Sequence, residues 1–335
     1  MTQLIVDTQG ARLRKNGERL EVELEGQTLQ SLPMGGLRQV ILMGQGVSAS
    51  TPLLYHLARN GVDVVYQSQG GRFAFRLAGP LAKHSALRVS QVQAMTDPGR
   101  AVALARAVVI GKLNNQAAVL ARYGEHAGER GRWAIQTLRD EAVRASAAAD
   151  VDSLRGYEGS GAAAYFAAWP ALFDAGQWRF RGRAYHPPTD PVNALLSFSY
   201  ALLLNDIVAA VYRIGLDPAI GFFHVVDYGR PSLALDLEEE FRPVIVDSLA
   251  LSLVRQGLLQ PGDFRSRDDG GPAVLLTDDA RRFLIARYEE RLAVKVRHPA
   301  WEQQLTYRQC IERQVEHMAR CIAERDAEYQ PLAVG

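Results

Sequence analysis

The apolar residues of this chain change period once, and that change limits the folds open to it. Up to about residue 80 they fall in short runs. Between residues 18 and 25, Leu20, Val22 and Leu24 alternate with charged neighbours, as a strand with one buried face requires. Asn16-Gly17 and Glu25-Gly26 flank this run and read as hairpin turns. Residues 37–43, 62–67 and 72–77 read as further strands. Residues 51–61 differ: a Thr cap, Pro52 in the first turn and Gly61 past the end predict a short helix. From Asp97 onward the period becomes 3.6 over long segments, at 100–123, 131–149, 191–214, 237–256, 278–292 and 307–329. Asp190, Pro191 and Gly215 mark the ends of the most apolar of these. The expectation is an α+β fold: a β-rich domain over 1–80, a linker over 81–95, and a larger, all-helical domain over 96–335 that holds the site.

With 335 residues, 47% of them hydrophobic, the chain can bury a substantial core. Its formal net charge of +1 is not the basic excess of a typical nucleic-acid binder, so any contact with DNA must come from local clusters. The two cysteines, Cys310 and Cys321, share one helical segment, an arrangement suited neither to a disulfide framework nor to a structural zinc. No apolar run approaches the ~18 residues of a membrane span. The opening residues show no basic leader before an apolar stretch. The expectation is a cytoplasmic protein without a membrane partner.

Three segments of the helical part carry chemistry. In Tyr157-Glu158-Gly159-Ser160-Gly161, a carboxylate precedes small residues at what reads as a helix start; it is either a metal ligand or a first-turn acid favoured by the helix dipole. In Gly221-Phe222-Phe223-His224-Val225-Val226, an imidazole sits in an apolar run, where its ring nitrogens need partners whether it is structural or a ligand. In Asp236-Leu237-Glu238-Glu239-Glu240, four carboxylates fall within five residues. They are either a solvated acidic first turn or a site whose repulsion a cation relieves. Taken together, carboxylate, imidazole and carboxylate make an oxygen-rich set with one nitrogen. Such a set suits Mg²⁺ or Mn²⁺ rather than structural zinc and leaves positions for water, a phosphate oxygen or an attacking hydroxyl.

These segments, with Pro187-Pro188-Thr189-Asp190-Pro191-Val192-Asn193-Ala194-Leu195-Leu196-Ser197-Phe198 between the first and second, occur in an order and spacing that resembles the CRISPR-associated spacer-acquisition family (Cas-one). Two departures are His186, where a basic residue is common before the double proline, and Glu238, which replaces a hydrophobe. The resemblance implies that Glu158, His224 and Glu239 are the metal ligands and catalytic residues, with Asp236 as an outer ligand acting through water or by orientation. It implies an antiviral-defence enzyme, a metal-dependent endonuclease and integrase. The 3′-hydroxyl of a captured fragment attacks a phosphodiester of the CRISPR array, and water can replace that hydroxyl. It further implies Mg²⁺ or Mn²⁺, double-stranded DNA, a homodimer formed in part by the β domain, and a small adaptation partner (Cas-two). Arg181 and Arg183, in the alternating run Trp178-Arg179-Phe180-Arg181-Gly182-Arg183, and Arg230 are the candidate phosphate contacts. Two other readings remain: a metal-dependent phosphoesterase acting on a small molecule, and a non-catalytic DNA-binding scaffold.

Overall fold

The computed structural model describes residues 2–69, 71, 73–77, 84–173, 177–184, 187–266, 273–298, 301–325 and 327–333. The chain divides into two compact units, Met1–Lys83 and His84–Gly335.

The first unit contains β1 (Thr2–Val6), β2 (Arg12–Asn16), β3 (Arg19–Leu24), β4 (Gln27–Pro33), β5 (Leu37–Met43), β6 (Ser48–Ala49), α1 (Thr51–Arg59), β7 (Asp63–Gln67) and β8 (Phe73–Leu77). Two four-stranded sheets result, in the orders β1-β5-β7-β8 and β4-β3-β2-β6. The expected alternation holds in β3, where Leu20 and Val22 are buried. Leu20 pairs with Lys15 and Leu32, and Val22 with Leu13 and Gln30. The β3–β4 turn needs positive φ at both Glu25 (50°) and Gly26 (83°), the geometry that hairpin twist favours. The continuous apolar run of β5 is explained by its central place between β1 and β7, with both faces covered. The helix expected at 51–61 begins at Thr51 with Ser50 before it, so Thr51 is the first helical residue rather than the cap. Arg72, which opened an expected strand, lies outside the described residues.

The second unit is mostly helical. It contains α2 (Ser85–Thr96), α3 (Pro98–Ala121), α4 (Gly128–Ser146), α5 (Val151–Ala168), α6 (Pro191–Ile214), α7 (Ser232–Phe241), α8 (Ser248–Arg255), β9 (Phe264–Ser266), β10 (Val274–Leu276), α9 (Asp278–Ala293), β11 (Lys295–His298), β12 (Gln303–Thr306) and α10 (Tyr307–Ala323). It is not all-helical: β9 pairs with β10, and β11 with β12, as two antiparallel ribbons.

Most of the stretch expected as a linker, 81–95, is helix α2. Its sequence reads as a connector because it docks by hydrogen bonds rather than by an apolar stripe. The buried Gln91 donates to the carbonyls of Asp217 and Ile220 and accepts from the Asp217 N–H. That carboxamide anchors the loop leading to His224.

Helix α6 has the predicted punctuation. Asp190 accepts from the Asn193 N–H, and Gly215 ends the helix at φ 97°. Contrary to the reading of apolar runs, α6 is long and apolar enough to cross a membrane by length and composition. Yet 78% of that apolar window is buried inside the fold, which makes it a core helix.

Candidate active site

Helices α3, α5 and α7 build the site. Gly161 of α5 sits so close to α3 that a methyl group in its place would overlap the Leu113 side chain. Gly161 therefore lets two helices approach. Glu158 is accordingly an interior residue of α5, seven positions after Val151. The sequence placed it at a helix start; of the small residues that prompted that reading, Gly161 serves close packing between helices instead.

Across from Glu158 on α3 stands Lys112, its side chain 8% exposed. The ammonium lies 2.5 Å from Glu158 Oε1 and also contacts Glu239 Oε2. Two carboxylates from separate helices thus converge on one buried positive charge. Burial alone would lower the lysine pKa, but Glu239 and Glu158 outweigh it and hold Lys112 above the ordinary lysine value.

The segment before α7 brings in His224. Gly221 packs against the start of that helix: an added Cβ would lie 2.7 Å from the Ser232 carbonyl carbon and 2.8 Å from Asp236 Oδ2, so only glycine fits. Asp236 is buried at 1% exposure. Its Oδ2 accepts the backbone N–H groups of Phe222 (2.6 Å) and Phe223 (3.0 Å), and its Oδ1 accepts that of His224 (2.8 Å). The same Oδ1 lies 2.7 Å from His224 Nδ1. A carboxylate can only accept, so Nδ1 carries the proton and Nε2 of the neutral ring keeps its lone pair. Nε2 lies 3.7 Å from Glu239 Oε1.

The three consecutive glutamates are buried, at 0–2% exposure, and each has its own partners. Glu238 accepts from Arg242 at 2.7 Å, while burial pushes its carboxyl up to about 7. Glu239 is shared among Arg242 (2.7 Å), Lys112 and His224. Burial would raise its pKa, but the Arg242 and Lys112 charges hold it well below the ordinary glutamate range. Glu240 accepts from Tyr329 (2.5 Å), Gln314 (2.9 Å) and the Leu332 N–H, and so fixes the C-terminal segment. The acidic run is therefore not a solvated first turn. Glu239 lies near the end of α7, whose start is Ser232.

Beyond Glu239 the expected helix at 237–256 is interrupted. Residues Arg242–Asp247 form a π-helical turn. Pro243 has no N–H to give the Glu239 carbonyl, and a proline removes the i→i−4 bond that keeps a helix regular. Arg242 sits on that turn, over the Tyr200 ring at 5.0 Å.

The arginines divide. In the run from Trp178 to Arg183, Trp178 and Phe180 are buried while Arg179 and Arg181 are exposed. Arg183 is drawn into the fold instead, donating to Asn193 Oδ1 (2.7 Å), the Ala184 carbonyl (2.8 Å) and Ser197 Oγ (3.1 Å). Arg230 is half-buried in the turn between His224 and α7. His186 lies outside the described residues.

Lys112 is the residue that sequence reasoning missed. The visible signal was the polar residues Lys112, Asn114, Asn115 and Gln116, interrupted only by Leu113, inside an otherwise apolar helix, since a helix buried on most sides tolerates such residues only with partners. Asn115 serves the same face, donating to the carbonyls of Glu240 (2.8 Å) and Leu332 (2.7 Å).

Among the described residues, no three His, Cys, Asp or Glu side chains are closed into a coordination shell; the cation between the two glutamates is the Lys112 ammonium. The donor set nonetheless fits a hard divalent ion. Two carboxylates already share one cation, and a tautomer-fixed imidazole nitrogen lies beside them.

The family model described as CRISPR associated protein Cas1 matches residues 4–290. A CRISPR-associated endonuclease Cas1 of Rhodospirillum rubrum is 41% identical over 309 residues, covering 89% of this chain and 88% of that protein. Among solved structures, a casposase bound to integration product aligns with a TM-score of 0.85 at 20% identity, over 98% of this chain and 93% of that one. A Cas6-RT-Cas1–Cas2 complex aligns with a TM-score of 0.85 at 22% identity, over 99% of this chain and 36% of that much longer one. Both structural matches speak to the fold, and the sequence matches to descent: the chain belongs to the CRISPR-associated Cas1 family.

Proposed function

We propose that Glu158, His224 and Glu239 together hold one divalent cation, Mg²⁺ or Mn²⁺, at the centre of the helical unit. The observation that carries this reading is the convergence of two helices' carboxylates on a single buried charge, with His224 Nε2 3.7 Å from one of them. When bound, such an ion polarises a phosphodiester and favours the attacking oxygen.

The chain's own residues prepare that chemistry. Asp236 fixes the His224 ring and its tautomer, so the imidazole presents an unprotonated nitrogen. Arg242 holds Glu239 from its other oxygen and limits the rotation of that carboxylate. Phe222, Phe223 and Leu237 are buried around the site and exclude water from its inner side. The outer side is open, since Val225, Val226 and Tyr228 are exposed beside His224.

As a Cas1 protein the chain is a nuclease and integrase of CRISPR adaptation. In the integration step, the 3′-oxygen of a captured fragment forms a P–O bond to the array strand, and that strand's own P–O bond breaks. Water in place of the 3′-hydroxyl gives cleavage. The protein acts on double-stranded DNA in the cytoplasm, as a homodimer to which the β unit contributes, with a Cas2-type partner. Exposed Arg179 and Arg181, and Arg230 beside the His224 loop, supply phosphate contacts. A strand-transfer assay with and without the Cas2-type partner, in Mg²⁺ and in Mn²⁺, tests the reading. Metal-dependent joining by the wild type and its loss in His224→Ala are expected; metal-independent joining, or full joining by His224→Ala, rejects it.

A further inference from the structure

Lys112 has no part in the metal reading, yet it holds the middle of the site. Its ammonium touches Glu158 Oε1 and Glu239 Oε2, while Arg242 takes the other Glu239 oxygen and turns its second nitrogen to Glu238. Among the described residues, Lys112 is therefore the cation that bridges the two helices' carboxylates. A lysine on the rim of a helix ordinarily carries its charge out to water. Here it keeps the charge buried, because the buried Glu239 and the half-buried Glu158 carboxylates repel unless a positive charge lies between them.

A divalent ion held by Glu158 and Glu239 needs those same oxygens. A monovalent and a divalent cation a few ångströms apart in a buried site repel strongly, so the two do not share the position. We propose that Lys112 is a tethered counter-ion that stands in the metal's place between Glu158 and Glu239 and is displaced when the metal binds. This rests on the assignment of those glutamates as metal ligands.

Two properties follow. The metal-free fold is protected from carboxylate repulsion, so it does not depend on metal to stay assembled. The measured metal affinity is weaker than the ligands alone would give, by the fraction of molecules in which the ammonium has left the site. With the ammonium in place about nine-tenths of the time, that weakening is about tenfold. A tethered competitor of this kind loads the site only where metal is plentiful, and a spontaneous escape of the ion leaves an intact protein.

The test is a Mn²⁺ titration of the full chain, followed by the electron paramagnetic resonance signal of free Mn²⁺, with thermal unfolding measured in EDTA and in Mn²⁺. Lys112→Gln is expected to bind Mn²⁺ about tenfold more tightly than the wild type. It should melt at lower temperature in EDTA and gain more from added Mn²⁺. Lys112→Arg, which keeps the charge, should bind no more tightly than the wild type. Equal or weaker Mn²⁺ binding by Lys112→Gln overturns the counter-ion role while leaving the metal assignment standing; absence of Mn²⁺ binding by the wild type overturns both. Should Lys112→Gln fail to fold, reductive methylation of the wild-type protein decides. Lys112 should be protected in EDTA and labelled in Mn²⁺, and labelling that Mn²⁺ leaves unchanged overturns the proposal.

Discussion

His224 Nδ1 lies 2.7 Å from Asp236 Oδ1, and the same carboxylate takes the backbone N–H groups of Phe222, Phe223 and His224. All of these partners donate, so the group at position 236 must be a pure acceptor. Asp236→Asn keeps the shape but turns an amide N–H toward one of them. We expect a loss of about 10- to 100-fold in metal-supported DNA cleavage, with weaker Mn²⁺ binding and a native circular dichroism spectrum. Wild-type cleavage by Asp236→Asn would show that the carboxylate does not orient the ring.

The arginine run separates phosphate binding from structure. Replacing exposed Arg179 and Arg181 by Ala should leave the melting temperature unchanged. It should flatten the dependence of log K on log salt by roughly 0.9 for each phosphate the protein ceases to neutralise. Arg183→Ala breaks hydrogen bonds from a charged group to Asn193, Ala184 and Ser197, and should cost about 1.5–3 kcal/mol of stability. An unchanged salt slope in the first variant, or an unchanged melting point in the second, contradicts the division.

Asp247 supplies a pH signature. Burial pushes its carboxyl up to about 6 from the ordinary 3.8, despite the hydrogen bond from Tyr200. Between those values the folded chain binds more protons at this position than the unfolded chain. The contribution of Asp247 is thus fully present below 3.8 and is lost as pH rises through about 6. Urea unfolding of wild type and Asp247→Asn from pH 4 to 7 should show the wild type losing stability relative to the variant as pH rises. A constant difference between the two would rule this out.

Both thiols are sealed in the fold. Burial pushes Cys310 up to about 12 and Cys321 up to about 11, so almost no thiolate exists near pH 8. Iodoacetamide should label neither cysteine in the native protein at pH 8 and both in guanidinium chloride. Rapid native labelling of either one would contradict this placement.

The sequence was most legible where local chemistry decides. The Leu20-Val22 alternation, the Asp190-Pro191 start of α6 and the Gly215 stop all describe neighbours along the chain, and the structure follows them. It misled where a residue's meaning depends on a distant helix. Gly161 helped to suggest a helix start at Glu158 because the Leu113 side chain it accommodates lies on α3, out of reach of any local pattern. The run from Asp236 to Glu240 left a solvated first turn open beside the cation site because its partners, among them Lys112, Tyr329 and the Leu332 N–H, are scattered over more than two hundred residues. Arg183 read as a phosphate contact because its acceptors on α6, Asn193 and Ser197, lie outside the alternating run that suggested it. The Glu158, His224 and Glu239 motif was visible, but the partner of the lysine between the two glutamates was not: the polar residues at 112 and 114–116 mark a buried polar face without saying what it meets.

The joint occupancy of Glu158, His224 and Glu239 by one ion is tested most directly by anomalous scattering from crystals soaked in Mn²⁺. We expect a single strong peak at about 2.0–2.3 Å from an oxygen of Glu158, an oxygen of Glu239 and Nε2 of His224, and no such peak in crystals of His224→Ala. A peak bound by other residues, or a soaked crystal with no peak at these three side chains, contradicts the assignment.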